Sequence, residues 1–331
     1  MWRELFLALL AAAAGAKAAP YTVSGISSGG FMAVQHHIAY NADVVGAGAL
    51  AAGPYWCAQD KLPWALSACG TTPALIDVGE LLAITVATAA TGTIDPVENI
   101  RGDRVWLFSG TKDTKVDPEV VAKAGEYYRG LGVRGKDLVF RNDVPAAHAM
   151  VTDTFGKNCS YFGSPYIDNC GFDAAGALLT HLLGALNPRV PALPHNIVPF
   201  SQQHASALST DEFSVAGLAE TGYAYVPTAC GSPQNKTNGA GTPSSCRVHV
   251  AYHGCYQGLE NINTTFVEHA GYNEWAEAND IVVVYFQAKS DPVLNPECCW
   301  DWWGWTGPAY ASKVGVQLNA IGRMMEYWLP G

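Results

Sequence analysis

The sequence predicts an α/β fold, with a mostly parallel sheet covered by helices on both faces. Three observations predict it. Strand-like and helix-like segments alternate along most of the chain, and a strand, a sharp turn and a helix follow one another near the amino end. In addition, 49% of the 331 residues are hydrophobic and only 15% are charged, so the chain can bury a large core. We expect a single α/β domain.

The first half of the chain supplies four strand-like segments and three helices. The strands are expected at 21–25, 44–50, 104–110 and 137–143, and the helices at 29–40, 117–131 and 174–186. Asp117 precedes Pro118 and suits the cap of its helix.

The second half begins with an irregular connecting region, at about 187–245, that is rich in Pro, Gly, Ser, Thr and Asn. It contains strand-like pieces near 197–200 and 223–226. The alternation then resumes. Strands are expected at 247–254 and 281–287, and helices at 266–279 and 311–328.

Residues 1–18 are typical of a secretory signal peptide. An apolar run over 5–14 is too short to span a bilayer, and small residues at Ala16 and Ala18 predict cleavage near Ala18. The alternative is an amino-terminal helix that stays on the protein. We expect residues 19–331 to form a secreted, extracellular catalytic domain.

The charge distribution argues against some partners. The formal net charge is -10, and no run of Lys or Arg is longer than a pair. Nucleic acids and anionic membrane surfaces require concentrated positive charge. We therefore expect neither as a partner, and we expect a monomer.

Nine cysteines fit an oxidising compartment. Proximity along the chain pairs Cys57 with Cys69, Cys159 with Cys170, and Cys230 with Cys246. Cys255 then pairs with Cys298 or Cys299, and one thiol is left over. No C-x-x-C pair occurs, which argues against a zinc site. Sequons at Asn158, Asn235 and Asn263 fit a secreted glycoprotein.

The turn near the amino end carries a candidate nucleophile. The residues from Gly25 to Gly29 match the Gly-x-Ser-x-Gly pattern, which places a serine between a strand and a helix. There Ser27 would expose its hydroxyl beside the backbone N–H groups of the helix. The alternative is a Gly-Ser-rich turn without a catalytic role.

Asp113 and His148 are the candidates for the other members of a catalytic triad. Asp113 lies in the loop after the strand that ends near Ser109, where hydrolases hold the carboxylate that orients histidine. Asp117 is its rival. His148 follows the next strand, 35 residues beyond Asp113. We predict that His148 is the general base and acid and that Asp113 fixes its tautomer.

The order of these segments predicts a circular permutation of the α/β-hydrolase fold. In such folds a His-Gly loop that supplies oxyanion donors precedes the serine. Here His253-Gly254-Cys255 follows Ser27 by more than two hundred residues. The strand at 21–25 should therefore lie beside the strand at 247–252.

Five segments, which together span nearly the whole mature chain, resemble one enzyme family. They are SGISSGGFMA (24–33), FSGTKDTKVDP (108–118), VPAAHAM (144–150), VAYHGCYQG (250–258) and NPECCWDWWGW (295–305). This order and these motifs are similar to those of the secreted fungal-type polyhydroxybutyrate depolymerases, which are circularly permuted α/β-hydrolases. The resemblance implies polyhydroxybutyrate as the polymer substrate.

The resemblance also implies how the oxyanion is bound. The backbone N–H groups of Ser28 and Cys255 are the expected donors. In the family the Cys after His-Gly pairs with the Cys of a Cys-Trp motif, which implies a Cys255–Cys299 disulfide and leaves Cys298 free. The doubled cysteine departs from the family pattern. His253 is expected to support the loop rather than to act as the base.

Four tryptophans within residues 300–305 indicate a packed or substrate-binding cluster. We expect Trp300 and one other to pack in the core. Trp302 or Trp303 is expected to line a crevice beside Ser27 and to contact a weakly polar polyester chain. Tyr252 and Tyr256 are weaker candidates for the same contact.

The sequence thus predicts a serine esterase that works through an acyl-enzyme and requires no metal or organic cofactor. Two alternatives remain. One is a secreted esterase of the feruloyl or acetylxylan type, because such enzymes share the serine and His-Gly-Cys motifs. The other is a non-catalytic binding protein on a hydrolase scaffold, although every expected triad residue is present.

Overall fold

The structure, a computed structural model, describes residues 19–231, 242–243 and 245–329. The predicted signal peptide and the Asn235 sequon lie outside the described residues. The strands are β1 Tyr21–Ile26, β2 Val44–Leu50, β3 Arg104–Phe108, β4 Leu138–Arg141, β5 Met150–Thr152, β6 Lys157–Asn158, β7 Ile167–Asn169, β8 Ile197–Ser201, β9 Thr221–Tyr225, β10 Arg247–Tyr252 and β11 Ile281–Tyr285.

The helices are distributed along the whole described chain. They are α1 Ser28–Ala39, α2 Leu62–Leu66, α3 Val78–Ala90, α4 Pro118–Gly130, α5 Ala174–Leu183, α6 Gln202–Ser206, α7 Thr210–Ser214, α8 Leu259–Ile262, α9 Thr265–His269, α10 Asn273–Asn279 and α11 Val316–Trp328. Among the described residues, no helix is both long enough and apolar enough to cross a membrane.

The central sheet has eight strands in the order β4-β3-β2-β1-β10-β11-β9-β8. The strands from β4 to β11 in this order are parallel, while β9 and β8 continue the sheet in antiparallel fashion. A second, small sheet has the order β5-β7-β6. The prediction of an α/β fold with a mostly parallel sheet is confirmed.

The position of β1 confirms the predicted permutation. This first strand lies in the middle of the sheet, between β2 and β10, and pairs Thr22 with His249 and Gly25 with Tyr252. The late helix α11 approaches α1, since the Tyr40 hydroxyl donates to the carbonyl oxygen of Leu318 at 3.3 Å. Segments from opposite ends of the sequence therefore form the centre of the fold.

Three local predictions differ from the structure. Helix α3 was not expected, because its β-branched residues give a weak helical pattern and only Leu81 and Thr85 of it are buried. The predicted helix at 266–279 is divided into α9 and α10, because Gly271 between them has a φ of 89°. The predicted helix at 311–328 begins only at Val316, because turns closed by hydrogen bonds from Ser312 to Ala309 and from Gly315 to Ser312 precede it. The two strand-like pieces expected within 187–245 form β8 and β9 of the sheet.

The parallel arrangement collects several loops at one edge of the sheet. The neighbouring strands β3, β2, β1 and β10 end there at Phe108, Leu50, Ile26 and Tyr252, respectively. In open parallel sheets, functional groups gather beyond the carboxyl ends of the strands. The segments that follow β1, β3, β4 and β10 therefore build the candidate site.

Candidate active site

Ser27 lies on a strained turn between β1 and α1. Its backbone has a φ of 56° and a ψ of −124°, and its N–H donates to the carbonyl oxygen of Leu50 at 2.9 Å. Glycine is required on both sides, because a Cβ atom at Gly25 would overlap the carbonyl oxygen of Gly29, and one at Gly29 would overlap that of His253. The turn thus presents the Ser27 side chain at the carboxyl edge of the sheet.

Ser27, His148 and Asp113 form one chain of hydrogen bonds. The Ser27 hydroxyl and Nε2 of His148 are 2.8 Å apart, and Nδ1 of His148 lies 2.7 Å from Oδ2 of Asp113. An ionised carboxylate can only accept, so Nδ1 carries the proton and Nε2 is free to accept from the serine. The structure therefore brings the three predicted residues together in the geometry that activates a serine.

The Asp113 carboxylate is held firmly in place. The Asp113 side chain is only 1% exposed, and its second oxygen, Oδ1, accepts hydrogen bonds from the N–H groups of Lys115 (2.8 Å) and Val116 (2.9 Å). Asp117, its rival in the sequence, accepts from the N–H of Glu119 and caps α4. The two aspartates thus have separate roles, as their sequence contexts indicated.

The N–H groups of Ser28 and Cys255 are available as oxyanion donors. Ser28 begins α1 directly after the candidate nucleophile, and Cys255 lines the same cavity as Ser27. Within the described residues, neither N–H group donates to another protein atom. A Cβ atom at Gly254 would be crowded, because it would lie 2.9 Å from Oε1 of Gln257 and 3.3 Å from the Cβ atom of Ser27.

The four disulfides join the pairs expected from the sequence and the resemblance. They are Cys57–Cys69, Cys159–Cys170, Cys230–Cys246 and Cys255–Cys299. Cys298 is a free, buried thiol, and burial raises its pKa to about 12. Among the described residues, one group of potential metal ligands lies close together, namely Cys255, Glu297 and Cys299. Its two sulfur atoms form a disulfide with each other, so they are not thiolate ligands.

A cavity of about 420 Å³ opens beside Ser27 and His148. Trp302 and Tyr256 line it, as predicted. Among the described residues that line the cavity, Trp303 is absent. Trp303 instead contacts Trp302 edge-on, with ring centroids 5.8 Å apart. As expected, Trp300 is fully buried.

The prediction for Tyr252 is wrong. This residue ends β10 with its side chain fully buried beneath the site, where its hydroxyl lies 2.7 Å from Nδ1 of His36. It is 0% exposed, so no substrate can touch it. Its neighbour Tyr256 lies beyond the strand and is 40% exposed.

Sequence reasoning missed several residues of the cavity wall. They include Leu66, Lys115, Phe162, Tyr166 and Glu297. Phe162 lies near the imidazole of His148, with ring centroids 6.2 Å apart, and Tyr166 stacks on Tyr256 at 6.1 Å. The available signal was the loop closed by Cys159 and Cys170, which places aromatic residues shortly after His148.

Comparisons with known proteins identify several relatives, although no family model matches the chain. It is 42% identical over 308 residues to the poly(3-hydroxybutyrate) depolymerase of Delftia acidovorans. That match covers 92% of this chain but 58% of the relative, so the chain spans little more than half the length of that protein. It is 34% identical to the polyhydroxybutyrate depolymerase of Talaromyces funiculosus, over 91% of this chain and 86% of that one.

Two solved structures are similar to the described fold. One is a PHB depolymerase variant complexed with an R3HB trimer, with a TM-score of 0.81, and the other is PHB depolymerase from Penicillium funiculosum, with a TM-score of 0.80. Each is 30% identical to this chain, and each match covers 94% of this chain and 98% of the solved one.

Proposed function

The chain belongs to the polyhydroxybutyrate depolymerase family, and from this premise we propose that it is a secreted serine esterase that hydrolyses poly(3-hydroxybutyrate) to short hydroxybutyrate products. The observation that carries the proposal is the hydrogen-bonded chain of Ser27, His148 and Asp113 at the base of an aromatic cavity. The relatives named for this activity, and the solved structure that holds an R3HB trimer, support the choice of substrate.

The acylation step follows from the geometry. Ser27 Oγ attacks the ester carbonyl carbon while its proton passes to Nε2 of His148. The oxygen that becomes negative accepts hydrogen bonds from the N–H groups of Ser28 and Cys255, each worth about 3 kcal/mol in comparable enzymes. His148 then protonates the alkoxyl oxygen of the leaving chain, which departs as a hydroxyl end.

Deacylation repeats the route with water. His148 removes a proton from a water molecule, the water oxygen attacks the acyl-enzyme carbonyl, and the proton returns to Ser27 as the ester bond breaks. The product leaves with a carboxyl group. Asp113 accepts from Nδ1 throughout and stabilises the imidazolium that forms in each half of the reaction.

The aromatic walls suit a polyester chain. The polymer is neutral along its length, with methyl branches and weakly accepting ester oxygens, so it gains most from contact with apolar ring faces. Trp302, Phe162, Tyr166 and Tyr256 supply such faces around Ser27.

We propose that residues 19–331 form a single monomeric catalytic domain.

One experiment tests the function and the nucleophile together. The secreted wild type and Ser27→Ala are compared for clearing of a poly(3-hydroxybutyrate) suspension and for hydrolysis of soluble p-nitrophenyl butyrate. Ser214→Ala, an exposed serine on α7, is the matched control. We expect wild-type and control activity on both substrates and loss of both in Ser27→Ala. Cleavage of the soluble ester without clearing would contradict the polymer assignment and favour a plant-polymer esterase.

Secretion is tested on the same samples. We expect the active protein in the medium, and amino-terminal sequencing of it should begin near Ala19, after loss of residues 1–18. Retention of the intact amino end on secreted protein would contradict the signal-peptide assignment.

A further inference from the structure

The loop that carries the Cys255 N–H is held by buried contacts that the proposed mechanism does not use. At their centre is Gln257, which is 2% exposed. Its Oε1 accepts from the N–H of Gly254 at 2.8 Å, and its Nε2 donates to the carbonyl oxygens of Pro165 (3.1 Å) and Tyr166 (2.9 Å). One amide thus joins the oxyanion loop to a segment 91 residues earlier in the chain.

The peptide group between His253 and Gly254 is fixed at both edges. The carbonyl oxygen of His253 accepts from Nε1 of Trp300 at 3.0 Å, while the N–H of Gly254 donates to Gln257. Because a trans peptide is planar, with its oxygen and hydrogen on opposite edges, these two contacts prevent it from rotating. Loss of the Gln257 contact would free one edge and leave a buried N–H without an acceptor.

The next peptide group presents the proposed oxyanion donor. The carbonyl oxygen of Gly254 lies 2.8 Å from Nδ1 of His253, and Nε2 of that ring accepts from the N–H of Ala288 at 3.2 Å. The proton therefore resides on Nδ1, which donates to Gly254. Burial lowers the pKa of His253 to about 4, so the ring stays neutral near pH 7. The carbonyl oxygen of Gly254 is thus held toward the His253 ring. Because the N–H of a trans peptide points opposite to its oxygen, the Cys255 N–H points away from that ring.

The second end of the Gln257 amide reaches the aromatic wall. It holds the backbone at Pro165 and Tyr166, and the Tyr166 ring contacts both Tyr256 (6.1 Å between centroids) and Phe162 (5.5 Å). Gln257 therefore fixes the distance between the donor loop and the surface proposed to hold the substrate chain.

The geometry points to Gln257 as a positioning residue for the oxyanion donor of Cys255, acting through the Gly254 peptide. This inference rests on the proposed function. A misplaced oxyanion donor binds the transition state less tightly and leaves ground-state binding of a small ester almost unchanged, so kcat should fall while KM stays nearly constant. A role in stability alone would leave kcat per active site unchanged.

The test is Gln257→Met, which keeps the length of the side chain and removes all three hydrogen bonds. We expect kcat for p-nitrophenyl butyrate to fall by about 10- to 100-fold, somewhat less than for complete loss of a donor, and KM to change by less than about threefold. Rates are divided by the number of active sites, titrated with a serine-reactive phosphonate, so that unfolded protein does not count.

Asn279→Leu is the matched control. Asn279, the last residue of α10, is also buried and makes the same kinds of contact, since its Oδ1 accepts from the N–H of Asn187 (2.6 Å) and its Nδ2 donates to the carbonyl oxygens of Asn187 (3.1 Å) and Trp275 (2.9 Å). We expect it to lower the melting temperature as Gln257→Met does and to leave kcat per active site unchanged. Equal loss of kcat in the two variants would overturn the inference.

A second variant covers the case in which Gln257→Met does not fold. Gln257→Glu keeps an acceptor for the Gly254 N–H and loses the donors to Pro165 and Tyr166, so kcat should fall by about three- to tenfold at unchanged KM. Wild-type kcat in either folded Gln257 variant, with Ser27→Ala inactive, overturns the positioning role. Full activity in Ser27→Ala would instead overturn the proposed function.

Discussion

Trp302 stacks on Phe31, with ring centroids 4.1 Å apart and ring planes 13° apart. Phe31 is buried in α1, the helix that begins directly after the candidate nucleophile Ser27. The indole that forms one wall of the cavity therefore rests on the same helix that presents the Ser28 N–H. The cavity-lining indole of Trp302 and the candidate nucleophile Ser27 are thus both held by one helix.

This relationship predicts a selective loss of polymer hydrolysis in Trp302→Ala. Removing the indole takes away an apolar face that a long chain covers, so clearing of poly(3-hydroxybutyrate) should fall by about tenfold or more. Hydrolysis of p-nitrophenyl acetate, with its short acyl group, should change less. Trp303→Ala is the control and should keep most of the clearing activity. An equal loss in both variants would argue against direct contact of Trp302 with the chain.

The two aspartates of the loop after β3 should respond differently to the same substitution. Asp113→Asn removes the acceptor that sets the His148 tautomer, and kcat should fall by about 10⁴-fold, as for such a change in other triads. Asp117→Asn should keep kcat and stability, because asparagine is an equally good helix cap. Ester hydrolysis and thermal melting of both variants measure this, and a large loss of kcat in Asp117→Asn would contradict the assignment.

Asp168 should make stability depend on pH. It is fully buried in β7, and neither carboxylate oxygen has a hydrogen-bond partner among the residues that the structure describes. Burial raises its pKa from 3.8 to about 6. Between these values the folded chain holds a proton that the unfolded chain has lost, so stability falls as the pH rises from about 4 to 6, and the whole penalty is present above that.

Asp168→Asn should therefore raise the melting temperature at pH 8, with a gain of up to about 3 kcal/mol in the free energy of unfolding, and the gain should vanish near pH 4. Asp301→Asn is the control. Asp301 is also buried, but it accepts hydrogen bonds from the N–H groups of Gly304, Trp305 and Thr306. Asp301→Asn should destabilise the protein, and a gain for Asp168→Asn that does not depend on pH would refute the prediction.

Removal of the Cys255–Cys299 disulfide should affect rate as well as stability. The bond ties the donor loop to the tryptophan-rich segment, so replacing both cysteines with alanine should lower kcat for a soluble ester and also cost about 2–4 kcal/mol of stability. The same replacement at Cys230 and Cys246, which lie outside the cavity lining, should lower stability alone. Unchanged kcat per active site in the first variant would contradict a role for this disulfide in positioning the donor.

Much of the site could be predicted, because it depends on a local turn motif and on the order of strands and motifs along the chain. The Gly25–Gly29 turn carries its own geometry, since glycine is needed at fixed places around Ser27. Asp113 and His148 each follow a parallel strand, and the carboxyl ends of such strands meet at one edge. The central position of β1 followed from the order of the motifs.

The cavity walls could not be predicted in the same way. Tyr252 and Tyr256 are close in sequence, yet one is buried at the end of β10 and the other faces the cavity. Which side a residue takes depends on where the strand ends and on what covers it. Phe162 and Tyr166 belong to a loop whose path is fixed by a disulfide and by the Gln257 contacts, not by a local pattern.

By itself, the sequence determined the candidate nucleophile, its acid-base partners and the order of the central strands, because turn geometry and chain order are local properties. Only the tertiary structure decided which aromatic rings face Ser27, that Asp168 is buried with no hydrogen-bond partner among the described residues, and that Gln257 connects the donor loop to the aromatic wall. These contacts join segments that are far apart in the chain, and packing of the whole fold brings them together.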